Sequence, residues 1–349
     1  MSLKIIKINS KRNPLSFSPF ECKEGKAREK FMKFEKEFNT LKYIIKKSNK
    51  ILLFAHSRPD SDTIGSNLAL YYYLKEIGKD ATVACFDQMP EYLKMFAYYD
   101  LKNPAEIDLQ SFDSVIAMDS VERGFEKVRD KFLENQVIVL VDHHPDIKEN
   151  GDLNIMDASY SSVSEIIFDF FEFHDLKISS QIATLLLMGI LGDTGNLQHS
   201  NTTPKVMNAV AKLLNRGASV AKISKMIFSN NRFSTLKLWG RALEKAKINP
   251  ENKMISTVIT KKDLEECQAS YDDTAEIASI LNTVPETNFS LVLSERDGGI
   301  IKGSLRSEKY KGVDVSEVAH QFGGGGHKLA SGFEIKGKIV EDKEGWKII

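Results

Sequence analysis

Between residues 51 and 191, short apolar runs alternate with longer stretches in which apolar residues recur every three or four positions. The runs at 51–55 (ILLFA), 81–86, 113–118 and 137–141 (VIVLV) are rich in β-branched residues, the pattern of parallel strands buried on both faces. Helical spacing covers 28–47, 63–77, 162–173 and 179–191. Thr203-Pro204 opens a further helix that ends near Gly217, with proline in the first turn where its missing N–H does no harm. Amphipathic stretches follow at 219–228 and 232–247. Strands alternating with helices predict an α/β domain built on a parallel sheet.

Asn249-Pro250 breaks this pattern, and the period changes beyond it. MISTVI (254–259) reads as a strand and 271–283 as a helix. FSLVLSE (289–295) and GIIKGSLRS (299–307) read as a hairpin turning on Asp297-Gly298-Gly299. A helix from Asp314 to Phe322 runs into a glycine-rich loop, Gly323 to Gly326, followed by His327. The second domain is therefore expected to be smaller and α+β. The predicted organisation is a basic N-terminal arm over 1–35, the parallel-sheet α/β domain over 36–230, a helical connector over 231–250, and the α+β domain over 251–349.

The chain length of 349 residues agrees with about two domains. Lysine plus arginine equal aspartate plus glutamate at 48 each, so there is no bulk positive field for long nucleic acid, and any nucleic-acid substrate should be short. Lysines scattered through the first thirty-odd residues lack interleaved aromatics and read as a solvated tail. Cys22, Cys85 and Cys267 are isolated, which supports neither a zinc knuckle nor a disulfide framework and suits a reducing cytosol. No apolar stretch reaches the ~18 residues of a membrane span, and no signal-peptide core is seen, so a cytoplasmic location is expected.

The chemistry sits where the apolar runs end. His56-Ser57-Arg58-Pro59-Asp60-Ser61-Asp62 follows the first run, Asp119 the third, Asp142-His143-His144 the fourth, and Asp193 stands in Gly192-Asp193-Thr194-Gly195 after an apolar helix. Ligands gather at the carboxyl ends of strands in such sheets. These clusters read as one split metal site, in a solvated crevice, with His56, Asp60 and Asp62 leaving the loop between strand and helix. Imidazole and carboxylate donors without thiolate suit manganese, ahead of magnesium or cobalt. Two cations sharing a carboxylate would serve phosphoester hydrolysis. In the second domain, Gly324, Gly325 and Gly326 would let backbone N–H groups approach an anion. His327 and Arg306 would add donors, and Ser307 is a further candidate for substrate contact.

Each feature has a plainer reading when taken alone. Asp119 could cap a helix, HSRPDSD could be a solvated turn, GGGG a linker and Arg306 a surface charge. What outweighs these readings is the recurrence of ligand-type residues at successive strand ends.

HxxxDxD, an Asp after the next strand, Asp-His-His, Gly-Asp-Thr-Gly and GGGGHxxASGF, in that order over about residues 50 to 335, resemble the DHH phosphoesterases that carry a DHHA1 substrate domain. Within that family the chain is most similar to the bacterial oligoribonuclease and 3′-phosphoadenosine 5′-phosphate phosphatase group. The resemblance implies that His56, Asp60 and Asp119 hold one Mn2+ and that Asp62, Asp119, His143 and Asp193 hold the other, with Mg2+ or Co2+ as substitutes. It also implies that Asp142 orients the histidines, that His144 meets substrate phosphate or the metal shell, and that Arg306 and His327 grip phosphate. Leu197-Gln198 departs from the family, in which an aromatic residue is common first, and leaves the local substrate lining open. The expected activity is degradation of very short oligonucleotides and removal of the 3′-phosphate of 3′-phosphoadenosine 5′-phosphate. Partners are then small nucleotides, with neither long nucleic acid nor membrane, and a homodimer is compatible with this reading. A cyclic di-AMP phosphodiesterase is the rival enzyme, and a nucleotide sensor without turnover the rival from another class.

Overall fold

The computed structural model describes residues 33–342 and 345–349, apart from 98, 146, 149, 228–231 and 275. The basic arm up to residue 32, and with it the start of the helix expected over 28–47, lies outside the described residues. The chain divides near residue 230 into two compact units.

The N-terminal unit begins with α1 (Glu35–Lys47), then β1 (Lys50–Phe54), α2 (Ser61–Glu76), β2 (Asp80–Ala84), the short α3 (Glu91–Lys94), β3 (Ser114–Met118), β4 (Val137–Asp142) and β5 (Leu153–Met156). It continues through α4 (Val163–Phe173), α5 (Ser180–Asp193), α6 (Pro204–Asn215) and α7 (Val220–Ile227). The five strands form one parallel sheet in the order β2-β1-β3-β4-β5. The chain leaves β1 to one side for β2 and returns on the other side for β3, so loops diverge between β1 and β3. That divergence opens a crevice at the carboxyl ends of these two strands.

Both faces of the sheet are buried, as the continuous apolar runs require. Leu53, Val83, Ile116, Met118, Val139 and Val141 face helices, among them α2, α4 and α5. Leu52, Phe54, Ala84, Val115, Ala117, Ile138 and Leu140 face the other way, against Leu109, Phe112, Val121, Phe125 and Val128. This second layer contains short 3-10 turns at Leu109–Ser111, Phe125–Lys127 and Arg129–Lys131.

The C-terminal unit contains α8 (Phe233–Glu244), β6 (Lys247–Ile248), β7 (Met254–Ile259), α9 (Lys261–Cys267), α10 (Ile277–Asn282), β8 (Phe289–Arg296) and β9 (Ile300–Arg306). After them come α11 (Val315–His320), β10 (Gly325–His327), β11 (Ala330–Lys336), β12 (Ile339–Asp342) and β13 (Gly345–Ile348). Six strands form a mixed sheet in the order β10-β11-β9-β8-β7-β6, in which only β7 and β8 run parallel. Leu238 and Ala242 of α8 pack with Ile255, Ile259, Leu264, Ile277 and Val292, so the stretch expected as a connector helps form this unit's core.

Several expectations change. The helix expected over 271–283 is split into a 3-10 turn at Tyr271–Thr274 and the shorter α10. The glycine-rich loop is partly a strand: Gly325–His327 pairs antiparallel with Ala330–Gly332, because backbone bonding to β11 is available to residues with no side chain to obstruct it. Gly324 allows this approach, since a Cβ there would lie 2.2 Å from the Gly332 carbonyl oxygen.

Candidate metal centre

His56 follows β1 and Asp119 follows β3, and the two strands pair directly, so their side chains meet across the crevice. His56 Nε2 lies 3.3 Å from Asp119 Oδ2 and 3.1 Å from Asp60 Oδ2. The His56 ring is turned by its other nitrogen, with Nδ1 2.8 Å from the Ser57 carbonyl oxygen, so Nδ1–H donates there and Nε2 points into the cluster. Asp60 is the N-cap of α2, its Oδ1 accepting from the backbone N–H groups of Asp62 and Thr63. Its Oδ2 is thereby left for His56. Asp62, expected in the loop, belongs to the first turn of α2, because capping by Asp60 starts the helix at Ser61.

Asp119 adopts φ +58°, in the left-handed region where aspartate is tolerated better than most side chains. Its N–H donates to the Val141 carbonyl, which ties it to the end of the neighbouring strand. One residue beyond, Asp142 Oδ1 accepts from the backbone N–H groups of His143 and His144 and lies 2.8 Å from His144 Nδ1. Asp142 thus orients the pair of imidazoles. His143 Nε2 stands 3.1 Å from Asp193 Oδ2 and 3.9 Å from Asp119 Oδ1.

Asp193 ends α5 and reaches the site because α5 crosses α2 at glycines. A Cβ on Gly65 would lie 2.5 Å from the Leu185 carbonyl oxygen, and one on Gly189 would lie 2.0 Å from Ser164 Oγ and 2.8 Å from Asp62 Oδ1. Asp62 in turn accepts from the backbone N–H groups of Val163 and Ser164 at the start of α4. Three helices and three strand ends therefore converge on a few carboxylates.

The donor atoms form three overlapping groups, each with its atoms within 4.8 Å of one another: His56, Asp60 and Asp119; Asp62, His143 and Asp193; and Asp119, His143 and His144. Asp119 and His143 link them. The expected solvated crevice is a buried one at its base. His56, Asp62 and Asp119 are at most 1% exposed, since the strand ends and α2 enclose them, while Asp60, His143, His144 and Asp193 are half-buried and line the approach.

Buried His56 Nε2 and Asp119 Oδ1 make no hydrogen bond. Such atoms are costly unless a cation or proton satisfies them, and the hard N and O donors fit a divalent metal of the manganese or magnesium type. The buried Cys85 thiol lies outside the three groups, with Sγ 3.1 Å from the His56 carbonyl oxygen.

Electrostatics point the same way. Burial alone would lower His56, but the carboxylates of Asp119 and Asp60 outweigh it and raise the imidazole to about 10. Burial opposes the rise at His143 too, and Asp193, Asp62 and Asp119 raise it to about 10. Burial, then the charges of Asp193 and Asp119, push Asp62 well above the carboxylate range, and burial also raises Asp193. Burial would raise Asp142, yet His144 holds it below its ordinary value.

These shifts predict a pH effect. Folded-state histidine values above 6.5 mean that protonated His56 and His143 stabilise the metal-free fold below about pH 6.5, and that this contribution is lost as pH rises through about 10. Cation binding needs the neutral rings and strengthens over the same interval. The gap in thermal midpoint between manganese-loaded and EDTA-treated protein should therefore widen from about pH 6.5 to about pH 9. A gap constant over that range would remove these imidazoles from the ligand set.

In the C-terminal unit, Ala330 pairs with Arg306 on one side and His327 on the other. The two basic residues therefore share one cross-strand row with only a small side chain between them. Ser307 is buried, and its hydroxyl donates to the Asn288 carbonyl. His199 sits against Gly195 with Nδ1 3.2 Å from the Asp193 carbonyl oxygen. One residue escaped the sequence reading: Arg123, whose guanidinium lies 3.7 Å from both Asp60 and Asp119. Its spacing of four from Asp119 was the available signal, but no helix was expected there to give that spacing meaning.

A parallel sheet gathers imidazoles and carboxylates at its switch point in groups that could hold a divalent cation, and the mixed-sheet unit that follows it carries a basic row. The DHH family N-terminal domain model matches residues 50–190, and the DHHA1 domain model matches residues 252–344. The probable bifunctional oligoribonuclease and PAP phosphatase NrnA of Streptococcus mutans is 30% identical over 84% of this chain and 92% of its own length. The bifunctional oligoribonuclease and PAP phosphatase NrnA of Thermus thermophilus is 29% identical over 82% of this chain and 84% of its own. An exopolyphosphatase-related protein from Bacteroides fragilis shares the fold, with a TM-score of 0.80 at 24% identity over 87% of this chain and 92% of that one. The chain belongs to the DHH family of phosphoesterases and carries both its DHH and its DHHA1 domains.

Proposed function

We propose that this protein is a two-manganese phosphohydrolase that degrades very short oligonucleotides to mononucleotides and removes the 3′-phosphate of 3′-phosphoadenosine 5′-phosphate. The observation that carries this reading is the set of three overlapping donor groups joined through Asp119 and His143. His56, Asp60 and Asp119 would hold one cation, and Asp62, Asp119, His143 and Asp193 the other. When bound, the pair would supply Lewis acidity to phosphoryl oxygens and lower the pKa of a water molecule.

The protein's own residues do the positioning. The His56 Nδ1–H bond to Ser57 fixes which nitrogen faces the cluster, and Asp142 fixes the His144 ring so that it can meet substrate phosphate. The Arg306 and His327 row would hold a second phosphate or a terminal one, with the backbone of Gly324, Gly325 and Gly326 beside it. The substrate class follows from the named activities of the Streptococcus and Thermus relatives, which cover most of this chain. The zero formal charge agrees, since each added phosphate of a long strand would gain little attraction. Among the described residues no helix is long and apolar enough to cross a membrane, and a cytoplasmic site of action accords with such substrates.

A panel of 5′-phosphorylated dinucleotide, pentanucleotide, ~30-mer single strand, 3′-phosphoadenosine 5′-phosphate and cyclic di-AMP, each incubated with manganese, tests the proposal. Rates per molecule should peak at about two to five nucleotides and fall at least about tenfold for the ~30-mer, because a small unit can grip only a few phosphates. Hydrolysis of the ~30-mer as fast as the dinucleotide would favour a processive exonuclease. Turnover confined to cyclic di-AMP would favour a cyclic dinucleotide phosphodiesterase.

A further inference from the structure

We propose that Arg123 is a phosphate-binding residue contributed by the N-terminal unit itself, acting on the same phosphoryl group that meets the cation cluster. The inference rests on the phosphohydrolase reading of that site. Asp60 and Asp119 both lie 3.7 Å from the guanidinium, beyond hydrogen-bond reach, so the carboxylates attract Arg123 without using its donors. Its side chain is about two-fifths exposed, at 42%, whereas Asp119 beneath it is buried. The guanidinium thus stands between the buried donors and solvent.

The backbone that carries it is firmly held. The Arg123 carbonyl accepts from the Ser57 N–H, the Ser120 hydroxyl donates to the Phe54 carbonyl, and Gly124 at φ +143° lets the turn close on Ser57. A Cβ on Gly124 would lie 3.2 Å from Ser57 Oγ. The turn after β3 is therefore pinned to the loop that bears His56 and Asp60, and Arg123 reaches back four residues over Asp119.

Charge balance says what this cation is for. Asp60, Asp62, Asp119, Asp142 and Asp193 bring five negative charges when ionised, and two divalent cations would leave one uncancelled. A phosphate entering such a site meets net repulsion unless a further cation faces it. Among the described residues Arg123 is the one lysine or arginine within 4.0 Å of any of these carboxylates. Its planar fork suits two oxygens of one phosphoryl group.

The test uses full-length protein with Arg123→Ala and Arg123→Lys, titrated calorimetrically first with Mn2+ and then, in the Mn2+-loaded state, with inorganic phosphate. Mn2+ should bind Arg123→Ala at least as tightly as wild type, because a like charge has been removed. Phosphate affinity should fall at least tenfold, with partial recovery in Arg123→Lys. Steady-state kcat/KM on a 5′-phosphorylated dinucleotide should fall in parallel, by about 10- to 100-fold. Phosphate affinity within twofold of wild type would overturn the inference, as would loss of Mn2+ binding, which would make Arg123 a structural part of the cluster. If wild type turns over no substrate while phosphate binding still depends on Arg123, the phosphohydrolase reading fails and the role of Arg123 stands.

Discussion

Asp119→Asn is expected to lose at least ~10³-fold in turnover on dinucleotide substrates, equivalent to about 4 kcal/mol of transition-state stabilisation. The expectation follows from position: Asp119 belongs to two of the three donor groups, with Oδ2 3.3 Å from His56 Nε2 and Oδ1 3.4 Å from His144 Nδ1. No other carboxylate in the cluster faces both the β1 loop and the Asp-His-His turn. Asparagine keeps the shape and tolerates φ +58°, so the loss would be chemical and not architectural. Metal-free Asp119→Asn should fold but melt lower than wild type below about pH 6.5, because buried protonated His56 loses the first of the two carboxylates that hold it and keeps only Asp60 as a partner. Turnover by dinucleotide hydrolysis and thermal midpoint in EDTA check the two halves. A folded Asp119→Asn protein with wild-type-like rates would sink the shared-carboxylate model.

The strands that carry Asp119 and its partners were legible because burial on both faces leaves continuous apolar runs, and β1, β3 and β4 fall within a residue or two of 51–55, 113–118 and 137–141. The donor residues were legible because they stand immediately after those runs. β5 was not, since LNIM is four residues long and its Asn154 breaks the apolar run. α9 escaped because KKDLEEC has little apolar periodicity. What starts that helix is the Thr260 and Asp263 capping box, a local hydrogen-bond device that a hydrophobic pattern does not register. The second layer over the sheet, the buried base of the site and Arg123 all depend on tertiary packing of irregular chain. Gly65 and Gly189 belong with them: inside helical stretches they look like weak points, and only the crossing of α2 and α5 shows why glycine stands there.

Gly65→Ala should therefore destabilise the protein and reduce activity together, although alanine is the better helix former. Within α2 the substitution would add about 1 kcal/mol of helix propensity. Its methyl group, however, would lie 2.5 Å from the Leu185 carbonyl oxygen and 3.1 Å from the Gly189 nitrogen, and backbone cannot swing aside as a side chain can. Relief requires α2 and α5 to separate, at an overpacking cost of about 1–3 kcal/mol that outweighs the propensity gain over most of its range. Asp62 sits three residues before Gly65 on α2, and Asp193 four residues after Gly189 on α5, so the separation would spread the second donor group directly. A shift of ~1 Å in reacting groups can lower turnover by ~10²-fold, and manganese affinity should weaken with it. Gly240→Ala on α8 is the control: nothing lies within 4 Å of the added methyl, so it should stabilise by about 0.5–1 kcal/mol through propensity alone and leave turnover unchanged. Denaturant unfolding with calorimetric manganese titration of both variants separates the cases. Gly65→Ala with the stability and metal affinity of Gly240→Ala would show that the glycine crossing does not set the spacing of Asp62 and Asp193.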